Sequence, residues 1–302
     1  MTLPPAIRTL VDRVVGLAPV RTAMRVLKIY GDAGGGLLAG GLTYSAVFAV
    51  LPSLLLLTGL VGFMVTDPER RAAIVGGIGR ALPPLEGLVT NLVESISKGS
   101  AGFGLLGLLG LAWGASHFYG SLDDAFSRIF LNDPKRGFIA RTVRGLLSVM
   151  LLVTVFVAAL GLTGIGSYIA DQTATRFGGG TASFWQIASP ALAAVVFVSA
   201  TVLVYRVVPG RRVSWSALWL PALVAGVLLA LLTQLFSFIA PRLIGVASVY
   251  AAFVAVFAAM VWLSTGFQIL LIGAAWVRDR TIQRHEETAM PSTGTSNNVE
   301  ER

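Results

Sequence analysis

His117, Ser121, Asp124 and Arg128 are spaced 4, 3 and 4 residues apart, which places them on one face of a helix. The chemistry open to such a stripe is definable. Imidazole and carboxylate can exchange a proton or a pairing partner, the hydroxyl can donate or accept, and the guanidinium attracts an anion. Trp113 extends the same face by one more turn. Charge inside a bilayer span costs about 2.5–3.5 kcal/mol per residue at the centre, so it usually faces a bundle interior or a wet cavity. A plainer reading also exists. Asp123, Asp124 and Arg128 fall in the last two turns before a charged loop, where Asp124 and Arg128 form an i,i+4 pair at headgroup level. His117 lies about halfway along the span and reads either as a hydrogen-bonded structural histidine or as a proton or ligand carrier.

Three arginines, Arg206, Arg211 and Arg212, stand at the same end of the chain's apolar segments and are candidates for an inner mouth that attracts anions. Tyr44, Gln234 and Gln268 are the candidate intramembrane polar partners. Interhelical hydrogen bonds worth roughly 0.6–2 kcal/mol explain each of them, and convergence on one cavity with His117 would make a binding site.

The elements that must carry these residues are six stretches with no charged residue at all, 33–66, 99–122, 145–170, 177–205, 213–241 and 243–277. Each exceeds the about 20 residues a helix needs to cross the hydrocarbon core. The expected fold is all-α, six transmembrane helices in a bundle. Arg and Lys set the topology. Segments 1–32, 123–144, 206–212 and 278–302 hold 17 of the 23 basic residues, against six in the alternate loops. The positive-inside rule then puts both termini in the cytoplasm. The expected location is the bacterial plasma (inner) membrane, multi-pass.

Within that frame the sequence divides into an amphipathic cytoplasmic arm (1–32), a membrane domain (33–280) and a polar tail expected to be disordered (281–302). In the arm, Ile7, Leu10, Val11 and Val14 share one helical face, which suits a helix lying on the membrane surface. The first outer loop, 66–98, opens with Thr66-Asp67-Pro68-Glu69 and breaks at Pro83-Pro84, so two short amphipathic helices are expected there. Pro52 should kink the first span. The pairs Gly36/Gly40 and Gly110/Gly114 allow close helix packing within one chain or a homo-oligomer.

Composition narrows the function. The chain is 55% hydrophobic and 13% charged, with no cysteine and two histidines, which excludes disulfides, thiolate nucleophiles and Cys-ligated metals. The net charge of +8 is a topology signal with anionic lipid headgroups as partners; no nucleic acid is expected. Gly102 to Gly107 matches G-x-G-x-x-G and Gly34 to Ala39 its Ala variant. That fingerprint needs a preceding strand and a wet helix N-terminus, whereas both copies open apolar spans. Gly114-Ala115-Ser116-His117 lacks the second glycine of a nucleophile elbow. No catalytic residue, metal site or cofactor is expected, and no enzyme.

Several short motifs together resemble the YihY/BrkB family of bacterial inner-membrane proteins, formerly labelled ribonuclease BN. They are Leu42-Thr43-Tyr44 with Leu51-Pro52, Trp113 followed by Asp124-Ala125-Phe126-Ser127-Arg128, Tyr205-Arg206-Val207-Val208-Pro209 with Arg211-Arg212, and Trp262 with Gly273-Ala274. Ala275 stands where the family usually has Glu. The resemblance implies six membrane helices with both termini inside. It also implies a transporter linked to the envelope, and no carboxylate cluster here could hold the metals of a two-metal nuclease. The functional expectation is a transporter or exporter of a lipid-linked or anionic envelope solute. The competing expectation is a non-transporting scaffold or envelope-integrity factor that acts through protein partners.

Overall fold

A computed structural model describes residues 18–64, 67, 101–131, 180–209, 213–246 and 251–289. Those residues form six helices: α1 (Ala18–Asp32), α2 (Gly35–Met64), α3 (Ala101–Phe130), α4 (Gly180–Val207), α5 (Trp215–Val246) and α6 (Ala251–Ala289). No strand occurs among the described residues. The first, second, fourth, fifth and sixth expected spans fall on α2 to α6. The third (145–170), the outer loop 68–98 and the first 17 residues of the arm lie outside the described residues. Among the described residues, Trp215–Ile239 and Phe253–Arg284 are long and apolar enough to cross a membrane. A third span is added if α1 and the first half of α2, bent by 62°, are counted as one.

The bend between α1 and α2 has a local cause. Gly34 adopts φ +70°, a conformation costly for residues with a Cβ. Its N–H donates to the Gly31 carbonyl, and Ala33 N–H donates to Ile29, closing off α1. Leu38 N–H then donates to the Gly34 carbonyl and starts α2. That helix continues through Pro52 to Met64. At the far end of α3, Leu131 takes the same left-handed conformation, φ 50°, and its N–H donates to Ser127. The α5 start is fixed at Ser214, whose carbonyl accepts from Ala217 and Leu218.

Helix α6 is the centre of the assembly and touches each of the other five. The α2–α3 pair lies to one side of it and the α4–α5 pair to the other. Small residues explain how one helix can serve so many neighbours. Ala255, Ala258, Ala259, Ala274 and Ala275 are all buried on α6, and small side chains let membrane helices approach closely. Among the fully buried side chains, Tyr205 is the largest. Its hydroxyl donates to the Leu270 carbonyl at 2.7 Å, and its ring meets Phe126 at 6.3 Å between centroids. Gly273 makes room for that hydroxyl: a Cβ there would overlap Tyr Oη.

Helix α6 runs on through the first part of the 281–302 stretch to Ala289, and residues 290–302 lie outside the described residues. Polar ties hold this last stretch: Thr281 donates to Val277, Gln283 to Asp279, and Arg284 to the Ser216 hydroxyl of α5. At Gly36 and Gly40 nothing among the described residues lies within 4 Å of an added Cβ. Gly114 does mediate close packing, and within this chain: a Cβ there would sit 2.5 Å from the Phe48 carbonyl oxygen of α2.

Candidate functional site

Among the described residues, Arg25, Arg128, Arg206, Arg278, Arg280 and Arg284 gather at one end of the assembly, referred to below as the basic end, while Arg242 stands at the other end of α5. Their first task there is to tie helix ends together. Arg278 of α6 donates to the Ile129 carbonyl of α3 at 2.7 Å, a carbonyl left without an intrahelical partner in the last turn. A cation at a helix C-terminus also meets the negative end of the dipole. Arg206 donates to the Val213 carbonyl at 2.7 Å and lies 4.8 Å from the Trp215 ring centroid, so it closes the α4–α5 turn. Arg280 donates to the Ser216 carbonyl. Arg206 remains exposed, with further N–H groups for an anion. Arg211 and Arg212, the other proposed mouth residues, lie outside the described residues.

Asp279 is the one buried carboxylate among the described residues, 5% exposed. Arg25 of α1 pairs with it at 3.0 Å, and Gln283 donates to its second oxygen at 3.0 Å. Thr22 accepts from Arg25 on the same helix. Nothing in the spacing of residues 254 positions apart announces this tie, and it went unnoticed in the sequence. A signal was present in hindsight, since Asp279 is the sole acid between three basic residues, Arg278, Arg280 and Arg284.

The stripe on α3 lies on the side away from the core. Leu122, Ala125, Phe126 and Ile129 are the buried face of that helix. His117, Asp124 and Arg128 are exposed, and Ser121 sits at the boundary. Ser121 hydroxyl meets Ser45 hydroxyl of α2 at 2.8 Å and donates to the His117 carbonyl at 3.1 Å. Asp124 and Arg128 pair at 3.3 Å, with side chains 57% and 60% exposed. That is an ordinary exposed i,i+4 pair, worth about 0.3–0.5 kcal/mol.

Above the pair, aromatic rings continue the stripe. His117 stacks on Trp113 at 5.8 Å with the planes 5° apart. Trp113 meets Phe48 of α2 edge-on at 6.1 Å, and Phe48 meets Tyr44 at 4.7 Å. Trp113 is 61% and Tyr44 58% exposed. At 1.5 Å per residue the run from Arg128 to His117 rises about 16 Å, and to Trp113 about 22 Å. That rise compares with a hydrocarbon core about 30 Å thick.

Of the proposed partners, only Tyr44 joins this track. Gln268 donates to Ser264 on its own helix, and Gln234 is exposed on α5 with no hydrogen bond shown among the described residues. Thr43, too, bonds within its own helix, to the Ala39 carbonyl. Among the described residues the neighbouring Ser45 makes the interhelical contact, to Ser121, while also bonding the Gly41 carbonyl of its own helix. The cavity seen between α4, α5 and α6, about 170 Å³, is elsewhere and is walled by apolar groups such as Phe197, Leu232, Trp262 and Leu270. No group of three or more His, Asp or Glu that could hold a metal occurs among the described residues.

Comparison with known proteins agrees with this architecture. A family model described as Virulence factor BrkB matches residues 26–296. Among curated proteins, a UPF0761 membrane protein of Chromohalobacter salexigens is 26% identical over 82% of this chain and 61% of its own length. One from Glaesserella parasuis is 26% identical over 70% of the chain and 74% of its own length. One from Alcanivorax borkumensis is 24% identical over 84% and 58%. The chain therefore spans less than two thirds of the length of two of these relatives. No solved structure matches. The match across nearly the whole helical assembly, with membrane proteins as relatives, places this chain in the YihY/BrkB family of membrane proteins.

Proposed function

We propose that this protein is an inner-membrane transporter that exports an amphipathic, anionic envelope component. In this reading the basic end faces the cytoplasm, the anionic headgroup moves along the exposed α3 track, and the apolar tails stay in the surrounding lipid. The observation that carries the reading is the placement of His117, Asp124 and Arg128 on the exposed side of α3, continued by Trp113 and Tyr44. Polar groups facing pure hydrocarbon are costly, so such a track is best suited to a polar headgroup or to water. Arg128 and Arg206 would draw the headgroup in, and His117 would pass it on by hydrogen bonding. The reading needs no catalytic residue, metal or cofactor.

A vesicle assay with a headgroup-labelled fluorescent phosphatidylglycerol tests it, reading the fraction that a membrane-impermeant reductant can reach. The purified protein should raise the rate of exchange between leaflets above that of empty vesicles. The pair His117→Ala and Asp124→Asn should slow it on the order of tenfold, as expected if about 1.4 kcal/mol of headgroup contact is lost. A rate equal to that of empty vesicles, or variants as fast as the parent, would sink the proposal.

One observation favours the second reading, a scaffold. The centre is solidly packed around Tyr205 and Gly273, and the cavity found among the described residues is apolar. The same α3 track would then be a docking face for a protein partner. The track variants would leave lipid exchange untouched and abolish partner capture.

A further inference from the structure

The exposed side of α1 carries a feature that the transport reading does not use. At about 100° per residue, this helix divides into three sectors. One faces the protein: Val26 is 6% exposed, and Ile29 and Tyr30 pack against the core. A second, about 60° wide, holds Val20, Met24 and Leu27, and the latter two are 53% and 55% exposed. The third holds Arg21, Arg25, Lys28 and Asp32. A helix standing in water has no use for the second sector, since its aliphatic side chains stay in contact with water instead of being buried.

We propose that α1 is a surface anchor whose partner is an anionic bilayer surface. Val20, Met24 and Leu27 enter the acyl boundary, and Arg21 and Lys28 meet headgroup phosphates beside them. Three observations select this partner. The α1 axis is turned 62° from α2, so with α2 across the membrane α1 lies nearer the membrane plane than its normal. The apolar sector is bordered along one side by Lys28 and Arg21, which complements a negative surface. The rotation of α1 about its axis is fixed, because Arg25 is held by buried Asp279 and Val26 by the core. The apolar sector therefore cannot turn inward. This anchor stands independently of what the α3 track does.

The absence of cysteine permits single-site labelling of the full chain in vesicles. Met24→Cys and Lys28→Cys would each carry a polarity-sensitive fluorophore. The probe at 24 should be quenched by lipids spin-labelled high on the acyl chain and protected severalfold from aqueous iodide relative to the probe at 28. Its lipid quenching should rise when phosphatidylglycerol replaces phosphatidylcholine, and Arg21→Gln with Lys28→Gln should remove that rise. Equal iodide quenching at 24 and 28 would overturn the proposal. So would a probe at 24 shielded from both iodide and spin-labelled lipid, which would mean that a protein surface covers this face. Both side chains are exposed, so neither label disturbs the packing that folds the helix.

Discussion

Replacing Gly273 with alanine is expected to destabilise the assembly by about 2–4 kcal/mol, the sum of overpacking and a lost hydrogen bond. The added Cβ would overlap the hydroxyl of Tyr205 and lie 3.1 Å from the Ala225 Cβ. Neither neighbour has room to yield, because Tyr205 is fully buried and its hydroxyl is committed to the Leu270 carbonyl. The one severe overlap is with a removable atom, the Tyr205 hydroxyl oxygen, while Ala225 Cβ and Tyr205 Cζ are merely tight at 3.1 Å, which gives the prediction a control. Tyr205→Phe alone should cost about 0.5–1.5 kcal/mol for the hydrogen bond. Combined with Gly273→Ala it should cost clearly less than the two separately, because the overlapping oxygen is gone. Unfolding midpoints in detergent of the four proteins measure this coupling. Strict additivity would show that Gly273 and Tyr205 do not meet.

Gly226→Ala is expected to be at least as damaging, at about 3 kcal/mol or more, because the obstruction is backbone. A Cβ at 226 would lie 2.5 Å from Val198 Cα and 2.7 Å from Val198 N. Rotamer changes cannot relieve that contact, so α4 and α5 would have to move apart. Gly114→Ala poses the same problem between α3 and α2, where the Phe48 carbonyl oxygen and Ala49 Cα stand 2.5 and 2.8 Å away. Two other glycines predict the opposite result. At Gly266 the nearest atoms to a new Cβ are Leu229 and Leu232 methyls at 3.5 and 3.8 Å, ordinary contact. At Gly40 nothing described lies within 4 Å. Alanine at those positions should stabilise by up to about 1 kcal/mol through helix propensity. Thermal loss of helical circular dichroism across the four variants checks the ranking.

These contrasts show what a membrane sequence conveys and what it withholds. Helix positions were legible because uncharged runs mark their middles: the stretch 33–66 nearly coincides with α2, and 99–122 falls on the first part of α3, which runs on to Phe130. Helix faces were not. A span that is apolar all round has no amphipathic stripe to say which side packs, so the same glycine spacing gives a tight crossing at Gly114 and meets no neighbour among the described residues at Gly36/Gly40. The α3 stripe shows both limits at once. Its 4, 3, 4 spacing gave the shared face of His117, Asp124 and Arg128, while the side of the helix it takes depended on Leu122 and Phe126 being larger and more apolar. Pairs remote in sequence, such as Arg25 with Asp279 and Tyr205 with Gly273, left no pattern that names the partner, although Asp279 stands out as the sole acid among Arg278, Arg280 and Arg284. The helical extension to Ala289 was hidden because Arg284, His285, Glu286 and Glu287 look like any solvated tail.

The central claim is that the α3 track meets water or headgroups along its length. It is tested most directly by His117→Cys in the cysteine-free chain, held in native membranes and treated with a small charged thiol reagent that cannot cross the bilayer. Ala125→Cys, on the fully buried side of the same helix, is the control. The account predicts that the thiol at 117 reacts and the thiol at 125 does not, with the reactive side marking the open end of the track. A thiol at 117 that stays unlabelled from both sides would contradict it and leave the stripe as buried or lipid-sealed structure.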